Sequence, residues 1–290
     1  MPASGDDVTR ALLIGGATKV AGVIGWPVVH SLSPAIHNAA FGALALDWTY
    51  VALPVAPGAV TEAVGGLRAL GFIGANVTMP HKAAVADAVD DLTDDARRLH
   101  AVNTVVVEGE RLRGANTDAP GFERFLADDA GFEPGGRTAL LYGAGGAARA
   151  CALALARGGL DRLVLAARDP SQADALGSAL DGLPTQLVVV GFDDAQSQTV
   201  DLVVNATPLG AKGEALPLPP LGSDTLVVDL LYDPAHTPLQ TAAREAGATS
   251  FGGLGLLLHQ AALSFEMWTG QVAPLEVMSA AALAALAERG

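Results

Sequence analysis

Thr138-Ala139-Leu140-Leu141-Tyr142-Gly143-Ala144-Gly145-Gly146-Ala147-Ala148 decides the fold of this chain. Five residues of strand character run straight into glycines, and a helical stretch follows to about Arg157. Gly143 permits a tight turn, and Gly145 lets the backbone approach a pyrophosphate. Ala148 stands at the third-glycine position, small enough for helix and strand to pack closely. The helix that follows offers unpaired N–H groups to phosphates. Gly143, Ala144, Gly145, Gly146 and Ala147 are therefore candidate cofactor-binding residues. An ordinary strand-to-helix loop has the same glycines, so the reading rests on strand, turn, helix and next strand occurring in order.

Outward from this turn, Arg162–Ala167, Leu187–Val190, Val200–Asn205 and Thr225–Asp229 read as further strands, and the Pro-rich stretch Gly210–Gly222 as a loop. Upstream, Lys19–Gly25, Trp48–Leu53, Phe72–Thr78 and Asn103–Glu108 read as strands. Ser33–Leu44, Gly58–Leu70 and Pro80–Asp90 read as helices between them. The alternation predicts parallel strands with crossover helices. Two late helices, Gly253–Thr269 and Pro274–Arg289, have no strand partner of their own and are expected to pack back on the first domain. The expected class is α/β with two domains: an N-terminal substrate domain, 1–118 with 254–290, and a Rossmann-like dinucleotide domain, 119–253.

Composition narrows the partners. At 290 residues, half of them hydrophobic and 34 of them Gly, the chain suits an α/β enzyme with large cores and many turns. A net charge of −14 argues against nucleic acid, whose phosphates need a basic face. The same charge repels anionic ligands, so local donors must create positive potential inside any cleft that binds them. The apolar stretches Ala139–Ala156 and Ser279–Ala287 are interrupted by Arg149 or too short to span a bilayer, and the N-terminus lacks a signal pattern. A cytoplasmic protein, monomer or homodimer, is expected. Cys151 is the only cysteine and the six His do not cluster, so no metal is expected.

Four segments of the first domain look like site material. In His30-Ser31-Leu32-Ser33-Pro34, Ser33 fits an N-cap ahead of Pro34 as the first helical residue, whereas Ser31 has no such structural role. Two hydroxyls beside a helix N-terminus form a carboxylate cradle. In Asn76-Val77-Thr78-Met79-Pro80-His81-Lys82, Asn76 and Thr78 alternate onto one face of a strand end. Lys82, one of only three Lys, sits in the first turn of a helix begun by Pro80, where the helix dipole disfavours a surface cation. Asn103 opens a strand and also fits a backbone-bonding turn residue. Asp118 fits either an N-cap or a residue facing the interdomain cleft. Reducing a ketone requires a hydride and a proton for the developing alkoxide; Lys82 is a proton donor, and Asp118 is a carboxylate to orient it.

The choice of nicotinamide turns on the end of the second strand. An acid there favours NAD, but Ala167 is followed by Arg168, which favours the 2′-phosphate of NADP. Asp169 either repels that phosphate or turns away to cap the helix at Pro170.

Taken together, His30–Asn38, Asn76–Lys82, Ala101–Thr104, Asn116–Gly121, Gly143–Ala148, Asn205–Gly210, Asp229–Pro234 and Gly253–Gln260 resemble the shikimate/quinate dehydrogenase family over nearly the whole chain. The resemblance implies an NADP-dependent oxidoreductase that interconverts 3-dehydroshikimate and shikimate in aromatic amino acid biosynthesis. It implies Ser31 and Ser33, helped by Tyr232, on the substrate carboxylate; Thr78, Asn103 and Gln260 on ring hydroxyls; and Lys82 with Asp118 as the catalytic pair. Asn205, Ala206, Thr207, Leu230 and Gly253 would line the nicotinamide pocket. The family's cofactor loop often carries a second Arg where Gln172 stands here, so a charge-assisted contact, ordinarily about 1.5–3 kcal/mol, is missing and NAD use is open. The alternatives are an NAD-preferring quinate/shikimate dehydrogenase and a dinucleotide-binding regulator without chemistry.

Overall fold

The structure, a computed structural model, describes residues 14–167, 170–234 and 236–289. Its first sheet is built from β1 (Lys19–Gly25), α1 (Ser33–Ala43), β2 (Trp48–Pro54), α2 (Val60–Ala69), β3 (Gly74–Val77), α3 (Lys82–Ala88), β4 (Asp91–Leu92), α4 (Asp94–Leu99), β5 (Thr104–Glu108) and β6 (Arg111–Ala115). The strand order is β2-β1-β3-β5-β6-β4. The sheet is mixed, which corrects the all-parallel expectation: β5 pairs antiparallel with both β3 and β6. The reason is local. Gly109, in the left-handed region at φ 61°, turns β5 directly back into β6 as a hairpin, with no room for a crossover helix.

The second sheet follows helix α5 (Asp118–Asp128). It comprises β7 (Thr138–Tyr142), α6 (Gly146–Arg157), β8 (Arg162–Ala166), α7 (Pro170–Ala179), β9 (Gln186–Val190), β10 (Leu202–Asn205), β11 (Leu226–Asp229), α8 (Pro238–Glu245) and β12 (Thr249–Gly252). All its pairings are parallel, in the order β12-β11-β10-β7-β8-β9. This is the doubly wound dinucleotide-binding arrangement. The chain reverses direction across the sheet between β7 and β10, opening a crevice at their C-terminal ends. Both faces of β7 are buried, Ala139 and Leu141 against α5 and α6, Leu140 and Tyr142 against the α8 side. That explains its unbroken apolar run.

Two helices, α9 (Leu254–Thr269) and α10 (Leu275–Ala287), close the chain. Phe265 of α9 and Met278 of α10 are fully buried with Ala21, Phe41 and Tyr50 on one face of the first sheet. The opposite face packs Ile24, Ala75, Val77 and Val105 on Val64 of α2 and Val85 of α3. The C-terminal helices thus share with α1 the cover of one face of the first sheet. Across the lobes, α4 is tied to the second sheet's helices. Arg149 donates to the Leu99 carbonyl (3.0 Å), Arg98 donates to that of Ala179 (3.0 Å), and Arg157 pairs with Asp95.

One buried group gives the fold a pH dependence. His37 is wholly inside the first core, stacked on Tyr50 with ring centroids 4.4 Å apart. Neither ring nitrogen has a hydrogen-bond partner of good geometry, Asn76 included. Burial pushes its pKa down to about 3, against the Asn76 amide, the one group opposing the shift. The unfolded chain therefore takes up a proton near the ordinary His value that the folded chain refuses. Stability present above pH 6.5 is lost as pH falls toward 3, by about 2 kcal/mol between pH 7 and pH 5. Urea unfolding at the two pH values should show this loss in the native chain and a smaller one in His37→Phe. Equal losses would remove His37 as the cause.

Candidate active site

Lys82 is the first residue of α3, and Asp118 is the first residue of α5. Both helices start where the first sheet's strands end, and their side chains meet: Lys82 Nζ lies 2.5 Å from Asp118 Oδ2. The Lys82 side chain is 23% exposed and that of Asp118 11%, so the pair is reachable by a ligand but largely shielded from bulk water. The helix does not start at Pro80, as the sequence suggests; Pro80 lies in the preceding turn. The cap reading of Asp118 is also displaced. Asn116 does the capping, its Oδ1 accepting from the N–H groups of Asp118 (3.0 Å) and Ala119 (3.3 Å), so the Asp118 carboxylate is not engaged by its own helix end.

Asn103 holds the other carboxylate oxygen. Its Nδ2 donates to Asp118 Oδ1 (2.8 Å) and Thr117 Oγ1 (2.9 Å), while its Oδ1 accepts from the Thr117 N–H (2.7 Å). It is therefore not a local turn residue; its bonds reach the start of α5. Behind it, Asn76 Nδ2 donates to Ser264 Oγ (2.9 Å) and Asn76 Oδ1 accepts from the Tyr50 hydroxyl (2.7 Å). Burial pushes the Tyr50 phenol well up, a hydroxyl contact from Ser33 opposing it, so it stays a donor. Tyr50, Asn76 and Ser264 carry no pattern in sequence that links them; the packing of β2, β3 and α9 brings them together.

A cavity of about 320 Å³ lies in front of this cluster. From the first lobe and its returning helix it is walled by Ser31, Ser33, Thr78, Lys82, Asn103, Asp118 and Gln260, and the far wall carries Ala147, Leu230, Tyr232 and Gly253. Ser33 is not an N-cap, contrary to the expectation. Helix α1 begins at Ser33, its cap position is Leu32 with no side-chain bond, and Ser31 Oγ accepts from the Ser33 N–H (3.2 Å). Ser31 thus has the capping role that the sequence reading denied it, and its hydroxyl can still donate into the cavity it lines. At the same end, Arg289 donates to the His30 carbonyl (3.0 Å) and its charge opposes the burial that pushes the Tyr232 phenol up. Sequence reading passed over this cation because it lies at the far end of the chain.

The remaining predicted residues form the adjoining rim rather than the cavity wall. Gly143, in the left-handed region at φ 95°, packs on Thr207 and Ala206; a Cβ there would come within 2.9 Å of Thr207 Cγ2. Asn205 Oδ1 accepts from the Thr207 N–H (3.0 Å) and hydroxyl (2.7 Å), fixing that loop beside the turn. Ala144 is buried beneath it. Gly145 caps α6 without a side-chain acceptor, and a Cβ on Gly145 or Gly146 would meet nothing within 4 Å. Open space thus stands over the N–H groups of the first turn of α6, the shape and polarity a pyrophosphate requires. Arg168 and Asp169 lie outside the described residues, as does the side chain of Gln172. Among the described residues no group of His, Cys, Asp and Glu is arranged to hold a metal ion.

A doubly wound dinucleotide lobe facing an ammonium–carboxylate pair defines a two-domain α/β oxidoreductase of the nicotinamide-dependent class. Residues 23–105 match the family model of the shikimate dehydrogenase substrate binding domain, and 253–283 that of the shikimate 5'-dehydrogenase C-terminal domain. The chain belongs to the shikimate dehydrogenase family. A shikimate dehydrogenase (NADP(+)) from Geobacter metallireducens is 43% identical over 94% of this chain and 99% of its own length. The shikimate 5-dehydrogenase of Thermus thermophilus, solved in complex with NADP(H) and shikimate, superposes with a TM-score of 0.83 at 37% identity, covering 92% of this chain and 100% of that one. A quinate dehydrogenase from Corynebacterium glutamicum in complex with NAD gives 0.84 at 30% identity, covering 92% and 99%.

Proposed function

We propose that this chain is an NADP-dependent shikimate dehydrogenase, reducing 3-dehydroshikimate reversibly to shikimate in the cytoplasmic route to aromatic amino acids. The observation that carries the reading is the 2.5 Å pair of Lys82 and Asp118 in a cavity whose opposite wall comes from the dinucleotide lobe. The reduced nicotinamide supplies the hydride when bound. Lys82 Nζ gives its proton to the ketone oxygen as negative charge develops there, and takes it back from the alcohol in the reverse direction. Asp118 Oδ2 aims the ammonium, and Asn103 Nδ2 aims the carboxylate.

Ser31, Ser33 and Tyr232 would hold the substrate carboxylate by hydroxyl donation at the α1 N-terminus, with Arg289 offsetting the chain's negative field. Thr78, Asn103 and Gln260 would hold the ring hydroxyls; Gln260 Oε1 and Asn103 Nδ2 stand 3.4 Å apart. Gly143–Ala147 would cradle the pyrophosphate, Arg168 the 2′-phosphate, and Asn205–Thr207 with Leu230 and Gly253 the nicotinamide. In domain terms, 1–118 with 254–290 would bind substrate and 119–253 cofactor. The packing of α9 and α10 on the first sheet supports this division.

A quinate/NAD preference is the second reading, favoured by Asp169 and by the relative solved with NAD. Initial rates with shikimate or quinate against NADP⁺ or NAD⁺ separate the two. Shikimate with NADP⁺ should give the highest kcat/KM, with NAD⁺ lower but measurable; quinate with NAD⁺ in first place would overturn the assignment.

A further inference from the structure

Two carboxylates are buried among the described residues: Asp118, 8% exposed, and Asp229, fully buried. A buried charge is ordinarily paired, because taking a lone ion out of water costs several kcal/mol. Asp118 has Lys82. Asp229 has no cation among the described residues. It is held only by neutral donors. Asn205 Nδ2 (2.9 Å) and the Leu231 N–H (3.1 Å) donate to Oδ1, and the Thr237 hydroxyl (2.6 Å) donates to Oδ2. Such donors solvate a carboxylate but leave its net charge intact, and the field of that charge extends through the dry interior around it.

The position of Asp229 says where that field is felt. It is the last residue of β11, registered beside Asn205, the last residue of β10, at the C-terminal edge of the second sheet where the crevice opens. The next residue, Leu230, forms cavity wall, and Asn205 ties the same carboxylate to the Thr207 loop that packs on Gly143. The carboxylate therefore lies one residue along the chain from the cavity wall that the cofactor reading gives to the nicotinamide. An oxidised nicotinamide ring is a cation and a reduced one is neutral.

We propose that Asp229 is a fixed negative charge set behind the nicotinamide pocket, selecting the oxidised, cationic ring over the reduced, neutral one. The inference rests on the cofactor reading above. In ketone reduction the ring becomes positive as hydride leaves, so the same field lowers that barrier and requires no reorganisation when the charge appears. The missing partner of the buried carboxylate is then the ligand itself. Burial disfavours the ion and pushes the Asp229 carboxyl up from its ordinary range; the donors from Thr237, Leu231 and Asn205 oppose that shift and hold the charged form.

The rival role is that of a latch, Asp229 serving only to tie Asn205 to Thr237. Asp229→Asn separates the two, since the amide retains a hydrogen-bonding shape and loses the charge. Dissociation constants for NADP⁺ and NADPH should be measured on native and variant protein by calorimetry. The ratio of the two constants should shift about tenfold against NADP⁺, with NADPH affinity changed far less. Equal weakening of both forms, or no change in the ratio, would overturn the proposal in favour of the latch. If Asp229→Asn does not accumulate as folded protein, Asp229→Ser removes the same charge from a smaller side chain and is read the same way. A native protein that binds neither form would remove the cofactor reading and this inference with it; binding of both forms with an unmoved ratio removes the inference alone.

Discussion

Lys82→Ala should lower kcat for shikimate oxidation by about 100- to 10,000-fold, the range that a positioned proton-transfer group contributes. The loss should appear in kcat more than in KM, because the ammonium acts on charge that develops in the transition state rather than on the bound ground state. Lys82→Arg should be nearly as poor. A guanidinium retains the positive charge and the ion pair with Asp118 but does not release a proton near neutral pH. The Lys82→Ala variant also leaves Asp118, whose side chain is 11% exposed, without its cation, so folding must be checked by circular dichroism before rates are compared. Turnover within a few-fold of the native enzyme in either folded variant would remove Lys82 as the proton donor.

Gly253→Ala should produce the largest stability loss of any single methyl addition at the site. A Cβ on Gly253 would overlap the Leu230 carbonyl, in a backbone segment tied down where the Gly253 N–H donates to the Leu231 carbonyl (3.0 Å). Neither partner is a flexible side-chain tip, so the strain falls on the chain crossing from β12 to α9. Overpacking of this kind costs about 3 kcal/mol, equivalent to a fall of roughly 5–10 °C in thermal midpoint. Leu230 and Gly253 both wall the cavity, so any shift that relieves the clash deforms the nicotinamide pocket as well. The informative control is Gly145→Ala, where the added methyl meets open space. That variant should retain its thermal midpoint and lose NADP⁺ affinity, because the methyl occupies the approach of a pyrophosphate. Scanning calorimetry with cofactor titration on both variants checks the contrast; equal midpoints would refute the steric account.

Much of this was legible along the chain because the informative signals were local. The Gly143–Ala148 turn follows directly on the apolar run of β7, and Thr78 and Lys82 stand on either side of one strand-to-helix turn. What escaped was short or distant. The hairpin between β5 and β6 turns on two residues, Gly109 and Glu110, and β4 has only Asp91 and Leu92, too few for a period to show. Helix α8 was missed although Thr237 and Gln240 form a reciprocal capping box around Pro238, a pattern readable in sequence. Helix α5 shows in the sequence only as a possible N-cap at Asp118, because its start, Asn116, Thr117 and Asp118, is polar and reads equally as site material. The Tyr50–Asn76–Ser264 cluster joins positions that only the folded sheet makes neighbours.

The return of the last two helices to the first sheet bears on how the polypeptide is made. During synthesis the segment up to Asp118 emerges first, yet one face of its sheet waits for Phe265 and Met278. The dinucleotide lobe has every strand and crossover it needs by Gly252, so it can mature while one face of the earlier lobe is covered only by α1. A nascent chain stalled with Gly252 just clear of the ribosomal exit tunnel should therefore show a protease-resistant second lobe joined to a more digestible first one.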